Sequence, residues 1–235
     1  AQKHGTPVVA IMYFNNNAFT KEARELDGLS KGVPDFLITE MSRNPNIRVV
    51  ERDQIQKLVD EGKLTTAGLV DRETAVRVGK LLGAGHMIFG GFMADPKGNF
   101  RIDARAVDVE TGEIEYTERV QDKSDNIMTL IGQLAEKLNT GMKLPAPARR
   151  TGSAEPAMAP STPPAAATAV ASNAQKAFGA ATTTTKLPMR YAVMYGKALD
   201  MQDRKEYGRA AELFSAVLKD FPEFGPAQQH SKRVQ

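Results

Sequence analysis

Histidines, close-set carboxylates and a glycine–lysine pair are the residues of this chain that could do chemistry. There are three histidines. His4 lies near the start, His86 opens an apolar run and His230 lies near the end. A zinc site needs a second ligand at short spacing, and none of these histidines has one. Gly79-Lys80 and Gly83-Ala84-Gly85 share residue types with a phosphate loop. In that loop the glycines precede the lysine, a Ser or Thr follows it, and a helix begins there. Here no Ser or Thr follows Lys80, and the glycines close a helix. Asp103, Asp108, Glu110, Glu113 and Glu115 could act as paired carboxylates in acid–base catalysis. They alternate with Arg101, Arg105 and Arg119, which is the pattern of an exposed, ion-paired sheet face. There is no Gly-x-Ser-x-Gly motif and no cysteine. Disulfides, thiolate metal sites, cysteine nucleophiles and a lipid-modified cysteine are therefore excluded. These residues point to no enzyme, no metal and no cofactor, and leave binding or assembly as the expected role.

Composition narrows the partners. Basic residues number 31 and acidic residues 28, interspersed, for a net charge of +3. With no basic stripe carrying aromatic residues, nucleic acid is not an expected partner. Hydrophobic residues make up 41% of the chain, enough for a real core. No apolar run approaches the roughly 18–20 residues that span a bilayer as a helix. The chain starts Ala-Gln-Lys-His. This is the form left when a signal peptide is cut at a small residue, so export to the periplasm or cell surface is expected.

Periodicity predicts the elements that would position these residues. Val8–Phe14 is an apolar run suited to a central strand covered on both faces. A loop is expected over Asn15–Phe19, then a helix over about Val33–Arg43, started beside Pro34 because proline suits a first turn. A short strand Ile47–Glu51 leads to a helix Arg52–Glu61 with Ile55, Leu58 and Val59 on one face. Asp71 reads as an N-cap for a helix whose stripe is Ala75, Val78, Leu81 and Leu82, closed by Gly83. His86–Met93 is a strand, and Asp95–Asn99 is hairpin-turn chemistry. Phe100–Val109 places Phe100, Ile102, Ala104 and Ala106 on one face and Arg101, Asp103 and Arg105 on the other. A second tight turn leads to a strand Ile114–Gln121. Ser124 or Asp125 caps a helix carrying Ile127, Leu130, Ile131, Leu134 and Leu138. The order β-α-β-α-α-β-β-β-α predicts an α/β or α+β fold: a small mixed sheet packed with helices.

Composition divides the chain into an α/β domain at 1–143, a Pro/Ala/Thr-rich linker at 144–187 and a helical hairpin at 188–235. The linker has too little bulky apolar surface to offset ordering entropy. In the hairpin, Tyr191, Met194, Tyr195 and Ala198 form one stripe, and Tyr207, Ala210, Ala211, Phe214 and Leu218 form the next. Together with Pro222 the hairpin resembles a single tetratricopeptide repeat, with Lys205 where that repeat usually has Gly and Met201 where it usually has an aromatic. One helical pair cannot bury its face alone. It must dock on its own first domain, a neighbouring subunit or another protein; a partner or neighbour is favoured, through Tyr191, Met194, Tyr195, Tyr207 and Phe214, because the long linker gives reach.

Over about Pro7–Leu138 the chain resembles the periplasmic domain of the curli-secretion protein CsgG. The resemblance rests on Val50-Glu51-Arg52, on Gly68–Asp71, on Leu81-Leu82-Gly83-Ala84, and on Arg101–Gly112 (RIDARAVDVETG). Similar segments occur in the TolB N-terminal domain and in proteins of flagellar outer-membrane rings. The resemblance implies a non-enzymatic envelope protein. A pore of this family needs long amphipathic hairpins. The tight turns and charged alternation here predict the scaffold without the pore. The pore proteins carry a polar-aromatic loop after the first strand, which suggests Asn15, Asn16, Asn17 and Phe19 as a partner-contact loop. The expected role is a secretion or assembly accessory subunit, homo-oligomeric, bound to other envelope proteins and peripheral to the outer membrane. A periplasmic ligand- or polymer-binding module, with its cleft beside Asn15–Phe19, is the alternative.

Overall fold

A computed structural model describes residues 5–18, 25–61, 71–95, 98–146 and 187–234. Among them are strands β1 Val8–Asn16, β2 Arg48–Val49, β3 His86–Ala94, β4 Asn99–Asp108 and β5 Ile114–Lys123. The helices are α1 Leu29–Met41, α2 Arg52–Asp60, α3 Arg72–Leu82, α4 Ile127–Gly141, α5 Met189–Asp203, α6 Tyr207–Asp220 and α7 Gly225–Val234. A 3-10 turn, Ser124–Asn126, precedes α4. Phe19, Gly68–Val70 and most of the linker lie outside the described residues.

The sheet order is β2-β1-β3-β4-β5. β1 pairs in parallel with β2 and β3, and β3, β4 and β5 pair antiparallel. The fold is thus the mixed sheet packed with helices that the periodicity predicts, followed by C-terminal helices. Alternation decides which face each residue serves. Phe100, Ile102, Ala104 and Ala106 are fully buried on the face shared with α1 and α4. Ala10, Met12, Met87, Phe89 and Val107 pack on the opposite face with Ile55 of α2 and Ala75 and Val78 of α3.

Several boundaries differ from expectation. β1 continues through Asn15 and Asn16, which pair with Gly91 and Phe92 of β3. α1 begins at Leu29, so Pro34 lies inside the helix. An interior proline costs about 3 kcal/mol, and the burial of Leu29, Val33, Phe36 and Leu37 offsets it. Leu81, expected in a buried stripe, is 53% exposed. The buried stripe of α3 ends one turn earlier, at Val78 and Gly79; the Asp71 side chain caps the start of the helix by accepting from Thr74 N–H at 2.8 Å, and Gly83 closes its end with φ 64°.

The main correction concerns the C-terminal helices. There are three of them, α7 being unforeseen, and they dock on the chain's own α/β domain. Tyr195 stacks on Phe36 of α1 with ring centroids 5.0 Å apart, and Phe224 meets Phe36 edge-on at 5.8 Å. Tyr195 and Phe214 are fully buried and Tyr191 is nearly so. The intended partner face is therefore part of one continuous core. Glycines permit the close approach. A Cβ on Gly196 would lie 2.0 Å from the Gly28 carbonyl oxygen, and one on Gly28 would lie 2.7 Å from that of Val193. Leu144 and Leu187, at the two ends of the linker, also bury in this core.

Candidate functional site

Two regions gather polar side chains: a buried junction under the C-terminal helices and an open cleft on the opposite sheet face.

The junction centres on Arg52, the first residue of α2. Its side chain is 3% exposed and its Nη1 donates to both carboxylate oxygens of Asp203 at 2.8 and 2.7 Å. Its Nε faces Asp35 at 3.7 Å, within ion-pair but outside hydrogen-bond range. Asp35 accepts from Tyr195 Oη at 2.5 Å and lies 3.5 Å from His230 Nε2. Lys31 reaches Asp203 at 2.7 Å and Asp200 at 2.8 Å. Burial alone would pull the Arg52 guanidinium down, but the charge of Asp203, then of Asp35, outweighs it and holds the group above its ordinary value. Burial pushes the Asp35 carboxyl up. His230, Tyr195 and Arg52 together reverse this and hold it below its usual range. Each carboxylate here already has a cationic or hydroxyl partner. The junction ties α1, α2, α5 and α7 together. No signal in the sequence joins Arg52 to Asp203, because they come together only when α5 docks on α1.

The cleft lies where α3 stops covering the sheet. Its volume is about 520 Å³, and Asn15, Asn17, Phe89, Gly91, Arg105 and Arg119 are among its walls. Asn17 N–H donates to the Phe92 carbonyl at 2.8 Å, so the chain after β1 folds along β3. The Asn17 amide lies over Gly91, where a Cβ would come within 2.3 Å of its Nδ2. Asn16 turns away. Its Nδ2 donates to Asp27 at 2.8 Å, and its Oδ1 accepts from Ala18 N–H at 3.1 Å. Asp103 is clamped by Arg101 at 2.7 and 2.8 Å and by Arg119 at 2.8 Å. Burial pushes the Asp103 carboxyl up, but the two guanidinium groups hold it below its usual range. This is the ion-paired sheet face that the alternation of charges predicts. Asp108 accepts from Glu110 and Thr111 N–H, both at 2.8 Å, and so fixes the β4–β5 turn. It is a structural carboxylate.

Of the proposed contact residues, Asn15 and Asn17 share the cleft. Among the hairpin residues, Met194 is half-buried and Tyr207 is 48% exposed. Among the described residues no group of three His or acidic side chains is placed to hold a metal ion. No described helix is long and apolar enough to cross a membrane.

Residues 1–98 match the family described as curli production assembly/transport component CsgG. That match spans less than half of the chain and stops before β4. The matched span includes β1 to β3, α1 on one face of the sheet and α2 and α3 on the other, together with Asn15, Asn17 and Gly91 of the cleft. No curated protein matches the chain. Solved structures similar to it include the LpoB C-terminal domain from Escherichia coli, at 16% identity and TM-score 0.40, covering 52% of this chain and 87% of that one. Lipoprotein GNA1162 from Neisseria meningitidis gives 11% identity and TM-score 0.40, covering 49% and 79%. A PelC dodecamer from Paraburkholderia phytofirmans gives 9% identity and TM-score 0.37, covering 60% and 89%.

Proposed function

We propose that this chain is a non-enzymatic, exported envelope protein that serves secretion or assembly as an accessory or scaffold subunit. It acts through protein–protein contacts, in the periplasm or at the cell surface, as a homo-oligomer, and contributes no pore-forming hairpin. The match of residues 1–98 to a family of assembly and transport components carries this reading. The site geometry agrees with it. The buried titratable groups are paired with one another across the C-terminal docking surface, and the open face is broad and charged.

The test is cross-linking with mass spectrometry in intact envelopes, followed by native mass measurement of the purified protein. Cross-links to other envelope proteins and a mass above one chain are expected. A strict monomer, cross-linked to nothing in the envelope, overturns the proposal. The cleft beside Asn15 and Asn17 favours a second reading, a ligand- or polymer-binding module. A ligand retained in that cleft through purification would favour it over the scaffold.

A further inference from the structure

The cleft does not end at the sheet. Arg72, the first residue of α3, also lines a groove of about 800 Å³ between α3 and the β4–β5 turn. Val76, Leu81 and Lys80 form its helical side, and Thr111 to Glu113 form the other. Two kinds of side chain meet on this joined surface.

The first is apolar. Leu81 is 53% exposed and Ile114 is 47% exposed, and they are two of only three large hydrophobic residues so exposed among the described residues. The third, Tyr207, is on α6. Leu81 lines the groove and Ile114 the cleft that adjoins it at Arg72; scattered exposed apolar residues need no explanation, but two on adjoining depressions mark a binding surface.

The second is cationic. The two depressions together hold six Arg and Lys side chains against four carboxylates. Two of those carboxylates are already engaged: Asp71 caps α3, and Asp103 binds Arg101 and Arg119. Arg72, Lys80 and Arg105 make no ion pair among the described residues, and all three are exposed. Arginine suits carboxylate because its planar fork matches the two oxygens.

We propose that this surface docks a segment of a partner protein that carries carboxylates together with a bulky apolar side chain. The inference rests on the proposed accessory function and names the partner's chemistry. A glycan would match the cations but would leave Leu81 and Ile114 uncovered. A lipid surface would favour a flat, lysine-rich face over two adjoining depressions in which Arg101 and Arg119 are tied to Asp103.

The experiment is fluorescence anisotropy on the full chain, with a labelled peptide of alternating Glu and Leu as probe. Binding is expected, weakening with added salt. It should weaken about tenfold or more in the double variant Arg72→Glu/Arg105→Glu and again in Leu81→Ser, all three being exposed sites that leave the core intact. Peptides with Lys for Glu, or Ser for Leu, should bind at least about tenfold more weakly. Unchanged affinity in either variant overturns the proposal. So does equal binding of a control peptide, or capture of phosphatidylglycerol vesicles in place of the peptide. Cross-links in the envelope without any peptide binding would overturn this inference and leave the accessory function standing.

Discussion

Replacing Arg52 by Met isolates the energetic logic of the junction. The guanidinium is 3% exposed and its main partner, Asp203, is 5% exposed, so both charges are out of water. Removing one partner of such a pair costs about 3–5 kcal/mol, because the other is left buried and uncompensated. Asp203 keeps Lys31 at 2.7 Å, and Asp35 keeps Tyr195 at 2.5 Å. The loss should therefore sit at the lower end, about 3 kcal/mol. The matching Asp203→Leu should cost a similar amount, since it strands the guanidinium against Asp35 at 3.7 Å. The double variant Arg52→Met/Asp203→Leu should lie within about 1 kcal/mol of the parent, because an apolar pair of similar volume removes both desolvation penalties. Urea unfolding followed by far-UV circular dichroism measures all three, and the excess of the summed single losses over the double is the coupling. Protease digestion should degrade α5–α7 only in the singles. A single-variant loss below about 1 kcal/mol, or a double loss equal to the sum of the singles, would falsify the view that this pair locks the C-terminal helices.

Three further outcomes follow from local geometry. His86 Nδ1 lies 2.7 Å from Glu115, and that hydrogen bond, opposed by burial, raises the imidazole above its ordinary value. A raised folded value stabilises fully below about pH 6.5 and is lost as pH rises through it. The urea midpoint should therefore fall from pH 6 to pH 9, and His86→Gln should remove that fall; an identical pH profile in the variant refutes the pairing. Gly196→Val would drive a side chain into the Gly28 carbonyl, 2.0 Å from the new Cβ. It should lower stability by about 1–3 kcal/mol and expose α5 to protease, and an unchanged urea midpoint would refute the close crossing. Lys205 holds φ 64°, a left-handed conformation, between α5 and α6. Lys205→Gly should raise stability by about 1 kcal/mol in the same assay, and a loss would refute the strain.

What was legible in the sequence was what local pattern controls. The alternation of Phe100, Ile102, Ala104 and Ala106 against Arg101, Asp103 and Arg105 fixed both the face and the ion pairing, because side chains in a strand must alternate. The Asp71 cap and the Gly83 stop were legible for the same local reason. The start of α1 was not, since tertiary burial of Leu29 and Val33 overrode the rule against an interior proline. Asn15 and Asn16 read as loop residues by type, yet the neighbouring strand recruits them because Gly91 leaves room for the Asn17 amide. The junction was illegible altogether. Arg52, Asp203 and His230 come from three distant segments, and none carries a short-range signature. Lys205 is the one long-range hint that can be read backwards, since a residue where glycine is usual does take the conformation glycine favours.

The docking of α5–α7 also redirects where interaction must be sought. A tethered helical pair with an open apolar stripe would have been the natural arm for reaching a partner. Instead Tyr191, Tyr195 and Phe214 complete the core on the α1 side of the sheet, and Arg52 with Asp203 fastens them there. On that side α1 and α4 cover the sheet, and the C-terminal helices cover α1 in turn. The opposite side is covered only in part, by α2 and α3, and α3 ends with Leu81 in solvent beside Lys80. Apolar exposure and unpaired positive charge coincide on that side of the domain. For the proposed contact role, with one face covered by the C-terminal helices, the second face is the one on offer.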